Sequence, residues 1–153
     1  MAGLTGLICP NLTPFNKDLS IAMDLYIEHA KRMLDAGCSA LAPFGTTSEA
    51  NSFSAAERMM TLEAMIDGGL PPAQMIVGVG CCAYTDTAML ALHATEAGCG
   101  GVLMLPPSYY KGVSDEGLFR AYAQIIENIG DTRLQVVLYH IPQVSGVPIS
   151  HDL

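Results

Sequence analysis

The sequence predicts an α/β protein made of repeated βα units, and three observations support this fold class. Short apolar runs alternate with longer segments of helical periodicity. The runs begin near residues 6, 40, 75, 101 and 135, so they recur at intervals of 34, 35, 26 and 34 residues, each close to the length of one βα unit. The runs are also continuously apolar, which is typical of parallel strands that are covered on both faces.

The first unit opens with the run Gly6–Pro10, which predicts a strand. A helix is expected from about Ser20, and Gly37 ends it because glycine readily adopts the left-handed conformation that follows many helices. Apolar residues of this helix recur at spacings of four, seven and eight positions, which places them on one buried face: Tyr26, Ala30, Met33 and Leu34.

The second unit combines the run Ala40–Phe44 with a helix that begins at Ser54. Glu57 stands three residues after that serine, and the pair predicts a capping box, in which each side chain binds the other residue's backbone amide. The buried face of this helix is expected to contain Met59, Leu62 and Ile66, before Gly68 and Gly69 end it.

The third and fourth units follow the same plan. The run Met75–Gly80 leads to a helix near Thr85, and Gly101–Pro107 leads to a helix that opens at Ser114. The run Gln135–Pro142 predicts a fifth strand with no helix after it. The predicted buried faces are Ala88, Ala91, Leu92 and Thr95 in the third unit, and Leu118, Ala121, Tyr122, Ile125 and Ile129 in the fourth.

Two architectures fit such units: an open doubly wound sheet and a closed (β/α)8 barrel. The segment GVGCCA, Gly78–Ala83, matches the G-x-G-x-x-A pattern and keeps an NAD-binding domain as an alternative. That pattern also requires an acidic residue at the end of the next strand, and GVLMLPPS contains none. The other interpretation of these glycines is close packing of small residues at a strand end.

Composition and charge exclude several classes of function. The chain has the length of one domain, and its seven Lys and Arg against fifteen Asp and Glu give a net charge of -8, which would repel a nucleic acid. No apolar run approaches the roughly 18 residues that suggest a membrane span, and the N-terminus lacks the basic and apolar regions of a signal peptide. We therefore expect a cytoplasmic protein whose partners are small molecules or further copies of the chain.

The five cysteines and four histidines show no pattern typical of a disulfide framework or a metal site. The cysteines are odd in number and lack a CxxC pair. His140 is expected to have a structural role, because it alternates with Tyr139 and faces the opposite side of the strand. No metal site is predicted, and no cofactor is expected.

Hydroxyl groups follow three of the predicted strands. Thr46 and Thr47 follow the second strand, Tyr109 and Tyr110 follow the fourth, and Tyr139 lies late in the fifth. In a barrel, the carboxyl ends of the strands and the loops after them build the active site. Taken singly, a threonine pair is typical of a turn and a strand tyrosine is typical of a core.

Three motifs, in this order and spacing, resemble those of the dihydrodipicolinate synthase and N-acetylneuraminate lyase family. They are GTTSE (Gly45–Glu49), PPSYYK (Pro106–Lys111) and LYHIPQVSGV (Leu138–Val147). The resemblance implies a (β/α)8 TIM barrel, of which this chain supplies about five strands and four helices. Residues 1–153 would then be the N-terminal portion of a single barrel domain.

The resemblance also implies a function. The family condenses or cleaves 2-oxo acids, usually pyruvate, through a Schiff base on a lysine of the sixth strand, so we expect a class I aldolase, lyase or synthase that works as a homodimer or homotetramer. Thr46 and Thr47 would hold the substrate carboxylate, and Gly45 would allow its close approach. Tyr139 would transfer protons, and Tyr110 would reach across a dimer interface to complete a relay with Thr46 and Tyr139.

Two positions depart from the family's pattern. Val144 stands where dihydrodipicolinate synthases carry an arginine for the carboxylate of aspartate semialdehyde, so IPQVSGV looks more like the sialic acid lyase and 2-keto-3-deoxy sugar acid aldolase branches. Ser48 replaces the usual glycine of GTTGE, and we expect it to add a hydroxyl near the acceptor pocket and to contact substrate.

The lysine content sets a further expectation. The chain has only Lys17, Lys31 and Lys111, none of them in a predicted strand, and the family's Schiff-base lysine would fall beyond Leu153. We therefore expect the chain alone to be inactive. The alternative from a different class is a non-catalytic half-barrel that serves as a binding or interaction module.

Overall fold

The computed structural model describes residues 5–153; residues 1–4, the start of the segment predicted not to be a signal peptide, lie outside that range. Within it, five parallel strands alternate with five helices. The strands are β1 (Ile8–Cys9), β2 (Ala40–Leu41), β3 (Ile76–Gly78), β4 (Gly101–Met104) and β5 (Val136–Leu138). The helices are α1 (Met23–Asp35), α2 (Ala55–Asp67), α3 (Tyr84–Glu96), α4 (Asp115–Ile129) and α5 (Pro142–Ser145).

The strands stand side by side in the order in which they occur in the sequence. β1 pairs with β2, and β3, β4 and β5 form a second parallel sheet. The two sheets meet where Leu41 forms a parallel bridge with Met75, and where the Gly78 amide donates to the Pro43 carbonyl over 2.7 Å. A doubly wound sheet reverses its strand order at a switch point, and residues 5–153 contain no such reversal. The chain is a partial TIM barrel, as predicted.

The helices pack side by side, and the core lies between them and the strands. α1 contacts α2, α2 contacts α3, and α3 contacts α4. β2 and β3 are buried along their whole length, whereas β5, which pairs on one side only, is more exposed. Each large apolar side chain removed from water contributes about 1.5–3 kcal/mol. The least exposed ones include Leu41, Leu62, Met65, Leu70, Met75, Val102, Met104 and Ile125.

Two predicted helix starts are confirmed by their caps. The Ser54 hydroxyl accepts from the Glu57 amide over 3.2 Å, and the Glu57 carboxylate accepts from the Ser54 amide over 2.8 Å, which completes the capping box. The Ser114 hydroxyl accepts from the Gly117 amide over 3.1 Å at the start of α4. These three bonds satisfy amides at the helix starts that have no partner within the helix.

Two predicted features of the helices were wrong. α1 begins at Met23 rather than Ser20, because the Ser20 hydroxyl donates to Asp18 over 2.6 Å within a turn. The prediction of four helices missed α5, a single turn that Pro142 opens and that Gly146 ends with a φ of 65°. Four residues are too few to show helical periodicity in a sequence.

The glycines of GVGCCA bring neighbouring strands together. A Cβ atom at Gly78 would overlap the carbonyl oxygen of Phe44, and one at Gly80 would lie 2.6 Å from the Leu105 Cβ. These contacts fit the close-packing interpretation. The G-x-G-x-x-A pattern therefore does not lie at the switch point of a doubly wound sheet, where an NAD-binding domain would place it.

We expect Gly78→Ala to destabilise the chain by about 3 kcal/mol, the upper part of the usual range for overpacking, because the added methyl meets the Phe44 backbone at the junction of β2 and β3. The measurement is urea unfolding followed by far-UV circular dichroism. Gly45→Ala is the matched control, since a Cβ there would lie 3.9 Å from its nearest neighbours. Equal midpoints for the two variants would contradict the packing argument.

Candidate active site

A small cavity lies at the carboxyl ends of four strands. Its volume is about 170 Å³, and at roughly 30 Å³ per water molecule this is room for a small organic acid. The segments after β2, β3, β4 and β5 all contribute to its wall, which includes Phe44, Gly45, Thr46, Glu49, Gly78, Gly80, Leu103, Leu105, Tyr139 and Val144. The strand-tip location is the one that the barrel architecture predicts for a site.

The loop that follows β2 forms a tight turn on one side of this cavity. The Glu49 amide donates to the Thr46 carbonyl over 3.1 Å, and the Ala50 amide donates to the Gly45 carbonyl over 3.3 Å. The amides of Thr46 and Thr47 donate no hydrogen bond to another residue between 5 and 153. Both threonines are exposed residues. Thr46 lines the cavity, whereas Thr47, the next residue of the loop, is not among the lining residues.

Tyr139 and Thr46 meet across the cavity although 93 residues separate them in sequence. The Tyr139 hydroxyl lies 3.4 Å from Thr46 Oγ1, longer than the usual 2.7–2.8 Å for two hydroxyls. Such long contacts are common in sites without substrate. His140 faces elsewhere, and its Nδ1 accepts a hydrogen bond from the Ile149 amide over 3.0 Å, a structural contact.

Tyr110 does not reach the cavity within this chain. Its side chain is 72% exposed, and its ring packs edge-on against Tyr109 with centroids 5.2 Å apart. Lys111, the next residue, donates from Nζ to the carbonyls of Ser108 and Ser145 and so ties the loop after β4 to α5. The exposed tyrosine pair therefore stands on a loop that is held at its base.

Ser48 lies beneath the loop rather than in the cavity. It has no exposed surface, and its hydroxyl donates to the Asn11 carbonyl over 2.5 Å. The Thr13 hydroxyl in turn donates to the Ser48 carbonyl over 2.8 Å. This placement differs from the expectation that the Ser48 hydroxyl contacts substrate, because the side chain bonds inward to the segment after β1.

Arg58 was missed by the sequence reasoning. It is only 3% exposed and donates to the Gly78 carbonyl over 2.5 Å, with its guanidinium 5.8 Å from the centre of the Phe44 ring. Burial lowers its pKa from the ordinary value, while the neighbouring Cys81 and Asp86 oppose that shift. The sequence offered one signal of this burial. Arg58 stands four residues before Leu62 and seven before Met65, and this spacing places it on the buried stripe of α2.

Among residues 5–153, Glu49 is the only charged residue of the cavity wall. No group of three or more His, Cys, Asp or Glu in the same range converges to hold a metal ion. No lysine of the described part of the chain lies on a strand. A larger cavity, of about 680 Å³, lies between the Phe15–Ile21 segment and α2, but none of the predicted site residues lines it.

Residues 3–152 match the model of the dihydrodipicolinate synthetase family. The chain belongs to this family. An uncharacterized DapA-like lyase of Chloroflexus aurantiacus is 36% identical over the whole of this chain and 51% of its own length. The family membership predicted from the three motifs is confirmed.

Solved family structures share the fold. The crystal structure of dihydrodipicolinate synthase from Agrobacterium tumefaciens superposes with a TM-score of 0.92 at 36% identity, covering 95% of this chain and 50% of that one. A prophage protein of the family from E. coli K12, solved in complex with pyruvate, gives 0.83 at 27% identity over 94% and 47%. The chain thus spans about half the length of the family members it matches. No helix within residues 5–153 is long and apolar enough to cross a membrane.

Proposed function

We propose that this chain supplies the carboxylate-binding loop and the proton-transferring tyrosine of a Schiff-base aldolase, lyase or synthase that acts on pyruvate or another 2-oxo acid. One observation carries the proposal: Thr46 and Tyr139 meet at a small cavity at the strand tips. Residues 1–153 are proposed to form the N-terminal portion of a single barrel domain, which gives the site its remaining wall.

The substrate carboxylate binds to neutral donors in this proposal. The amides and hydroxyls of Thr46 and Thr47 offer charge-assisted hydrogen bonds of about 1.5–3 kcal/mol each. Gly45 lines the same cavity and adds no side chain to it, whereas a Cβ there would lie 3.9 Å from Leu103 and take up space beside the substrate. Among residues 5–153, the cavity wall offers no cation that would compete with these neutral donors for the carboxylate.

Proton transfer is assigned to the Tyr139 hydroxyl. A phenol can donate or accept a proton only along a hydrogen-bonded path, and Thr46 Oγ1 at 3.4 Å provides its next member. Tyr110 is proposed to extend this path from a second copy of the chain, in a homodimer or a homotetramer. Its 72% exposure on a tethered loop leaves the side chain available for such a contact.

The amine of the Schiff base is proposed to come from the remainder of the barrel. Lys111 Nζ already donates to two carbonyls, and Lys17 and Lys31 lie away from the strands. The chain alone would bind a 2-oxo acid without turning it over. The lack of a strand lysine among the described residues also favours a second candidate, a binding module without catalysis.

The second substrate is proposed to be a neutral, hydroxylated aldehyde. Val144, at the cavity wall, offers no charge to a second carboxylate, and Glu49 on the same wall would repel one. Hydroxyl groups would instead find the polar side chains of Asn51 and Ser52, which also line the cavity. This acceptor class fits the sugar acid branches that the IPQVSGV motif resembles.

Thr46→Val should weaken pyruvate binding by about tenfold, because it removes one charge-assisted hydrogen bond at constant side-chain volume. The measurement is an NMR titration of the isotope-labelled chain with pyruvate. Thr132→Val is the matched control, since Thr132 is exposed in the turn after α4, away from the cavity. An unchanged affinity in Thr46→Val would count against the carboxylate site.

Tyr139→Phe should lower kcat of the complete barrel by about 10²–10⁴-fold while leaving imine formation measurable, since only proton transfer is removed. Turnover is assayed beside borohydride reduction in the presence of pyruvate, with the exposed Tyr84→Phe as control. Equal loss of turnover and trapping would exclude the shuttle. Absence of any trapped adduct on the complete barrel would support the binding module instead.

Val144→Arg should shift the acceptor preference of the complete barrel toward anionic aldehydes by about tenfold or more, because a guanidinium can hold a carboxylate with two hydrogen bonds. The assay compares kcat/KM for glyceraldehyde with that for succinic semialdehyde, at fixed pyruvate concentration. Val113→Arg is the control, an exposed valine that does not line the cavity. A parental enzyme that already prefers the anionic aldehyde would refute the assignment.

A further inference from the structure

Four polar side chains form a buried cluster beneath the loop after β2. Asn11 and Thr13 belong to the segment after β1, Tyr26 to α1, and Ser48 to the loop itself. Their exposed fractions are 1%, 6%, 0% and 0%, respectively. Buried polar groups of this kind are retained where they fix one conformation.

Ser48 is joined to the segment after β1 at both its side chain and its backbone. Its hydroxyl donates to the Asn11 carbonyl over 2.5 Å, and its carbonyl accepts from the Thr13 hydroxyl over 2.8 Å. These two bonds bridge 37 and 35 residues of sequence. The orientation of the Ser48 backbone is therefore set by contacts outside its own loop.

The residues on either side of Ser48 show what that orientation controls. Thr46 and Thr47 precede it with amides that donate to no described residue, and Glu49 follows it with a φ of 57°. A non-glycine residue keeps a left-handed backbone only where its surroundings hold it there.

Tyr26 closes the cluster from the side of α1. Burial raises the pKa of its hydroxyl, and the adjacent Thr13, Asn11 and Ser48 side chains oppose that rise. The Tyr26 hydroxyl makes no aligned hydrogen bond to a described residue, and the same is true of both side-chain polar atoms of Asn11. Ser48 and Thr13 are therefore the members whose side chains tie the loop down.

We propose that Ser48 is a positioning residue, which acts through the bonds to Asn11 and Thr13 to aim the Thr46 and Thr47 donors at the substrate carboxylate. This inference rests on the proposed function for the carboxylate, but the anchoring of the loop can be measured without substrate. It replaces the expectation that the Ser48 hydroxyl itself contacts the substrate.

The experiment compares Ser48→Ala and Thr13→Val, each of which removes one of the two bonds. Amide hydrogen exchange of Thr46 and Thr47 is expected to accelerate by about tenfold in each variant, as the loop opens more often. Pyruvate affinity, measured by NMR titration, is expected to fall by about fivefold to tenfold. The double variant should show less than the product of the two single effects, because both bonds act on one residue.

Thr95→Val is the matched control for a general loss of stability. Thr95 is buried and donates over 2.8 Å to the Ala91 carbonyl within α3, so its bond does not involve the loop or the segment after β1. It should lower the thermal midpoint without changing the exchange rates of Thr46 and Thr47 or the affinity for pyruvate. Ser48→Ala results that match this control would overturn the proposal.

Two further outcomes separate this proposal from the proposed function. If the parental chain binds no pyruvate but Ser48→Ala and Thr13→Val still accelerate exchange in the loop, the anchoring stands and the carboxylate site fails. If pyruvate binds equally to the parental chain and to both variants, the site stands and the positioning role is refuted.

Discussion

The close approach of β2 and β3 at their carboxyl ends is the contact on which the rest of the structure depends. The Gly78 amide donates to Pro43, and the missing side chain of Gly78 lets the Phe44 carbonyl lie against its backbone. Together with the Leu41–Met75 bridge, this contact joins a two-stranded and a three-stranded sheet into one wall. It also sets the direction in which the chain leaves β2, and so places the threonine loop over the ends of β3 and β4.

Arg58 reinforces this junction at an electrostatic cost. A guanidinium that is 3% exposed loses most of its hydration, and its direct partners are neutral: the Gly78 carbonyl, the Cys81 thiol at 3.2 Å and the Phe44 ring. Hydrogen bonds to an ionised donor are about twice as strong as neutral ones, which offsets part of the desolvation. The same charge acts on Cys81. Burial raises the pKa of the Cys81 thiol above its ordinary value, and the arginine offsets part of that rise. The Arg58 side chain thus holds both Gly78, which lines the cavity, and Cys81 in the segment after β3.

The sequence predicted the features that local chemistry decides. Capping residues located the starts of α2 and α4, and the α4 stripe of Leu118, Tyr122, Ile125 and Ile129 is buried as expected. In α3 the buried residues are Thr87, Leu90, Ala91, Ala94 and Thr95. Only Ala91 and Thr95 of the predicted face are among them, because apolar residues occur all around this helix and do not mark one face. The inward turn of Ser48 was not predictable, because it is decided by a segment 37 residues away. For the burial of Arg58 the sequence offered only its position on the buried stripe of α2, since its partner Gly78 lies 20 residues away. The meeting of Tyr139 and Thr46 was expected from the family resemblance, and it agrees with the rule that the loops after parallel strands lie at one end of a barrel.

The two halves of the proposed chemistry rest on parts of the wall that differ in stability. The threonine loop follows a strand that is buried and paired on both sides, and Ser48 ties it to the segment after β1. Tyr139 follows β5, which pairs only with β4 and leaves Val137 and Leu138 44% and 43% exposed. A strand bonded along one edge opens more readily than one bonded along both. The proposed carboxylate site therefore stands on the more stable part of the wall, whereas the proposed proton-transferring tyrosine stands on the less stable part.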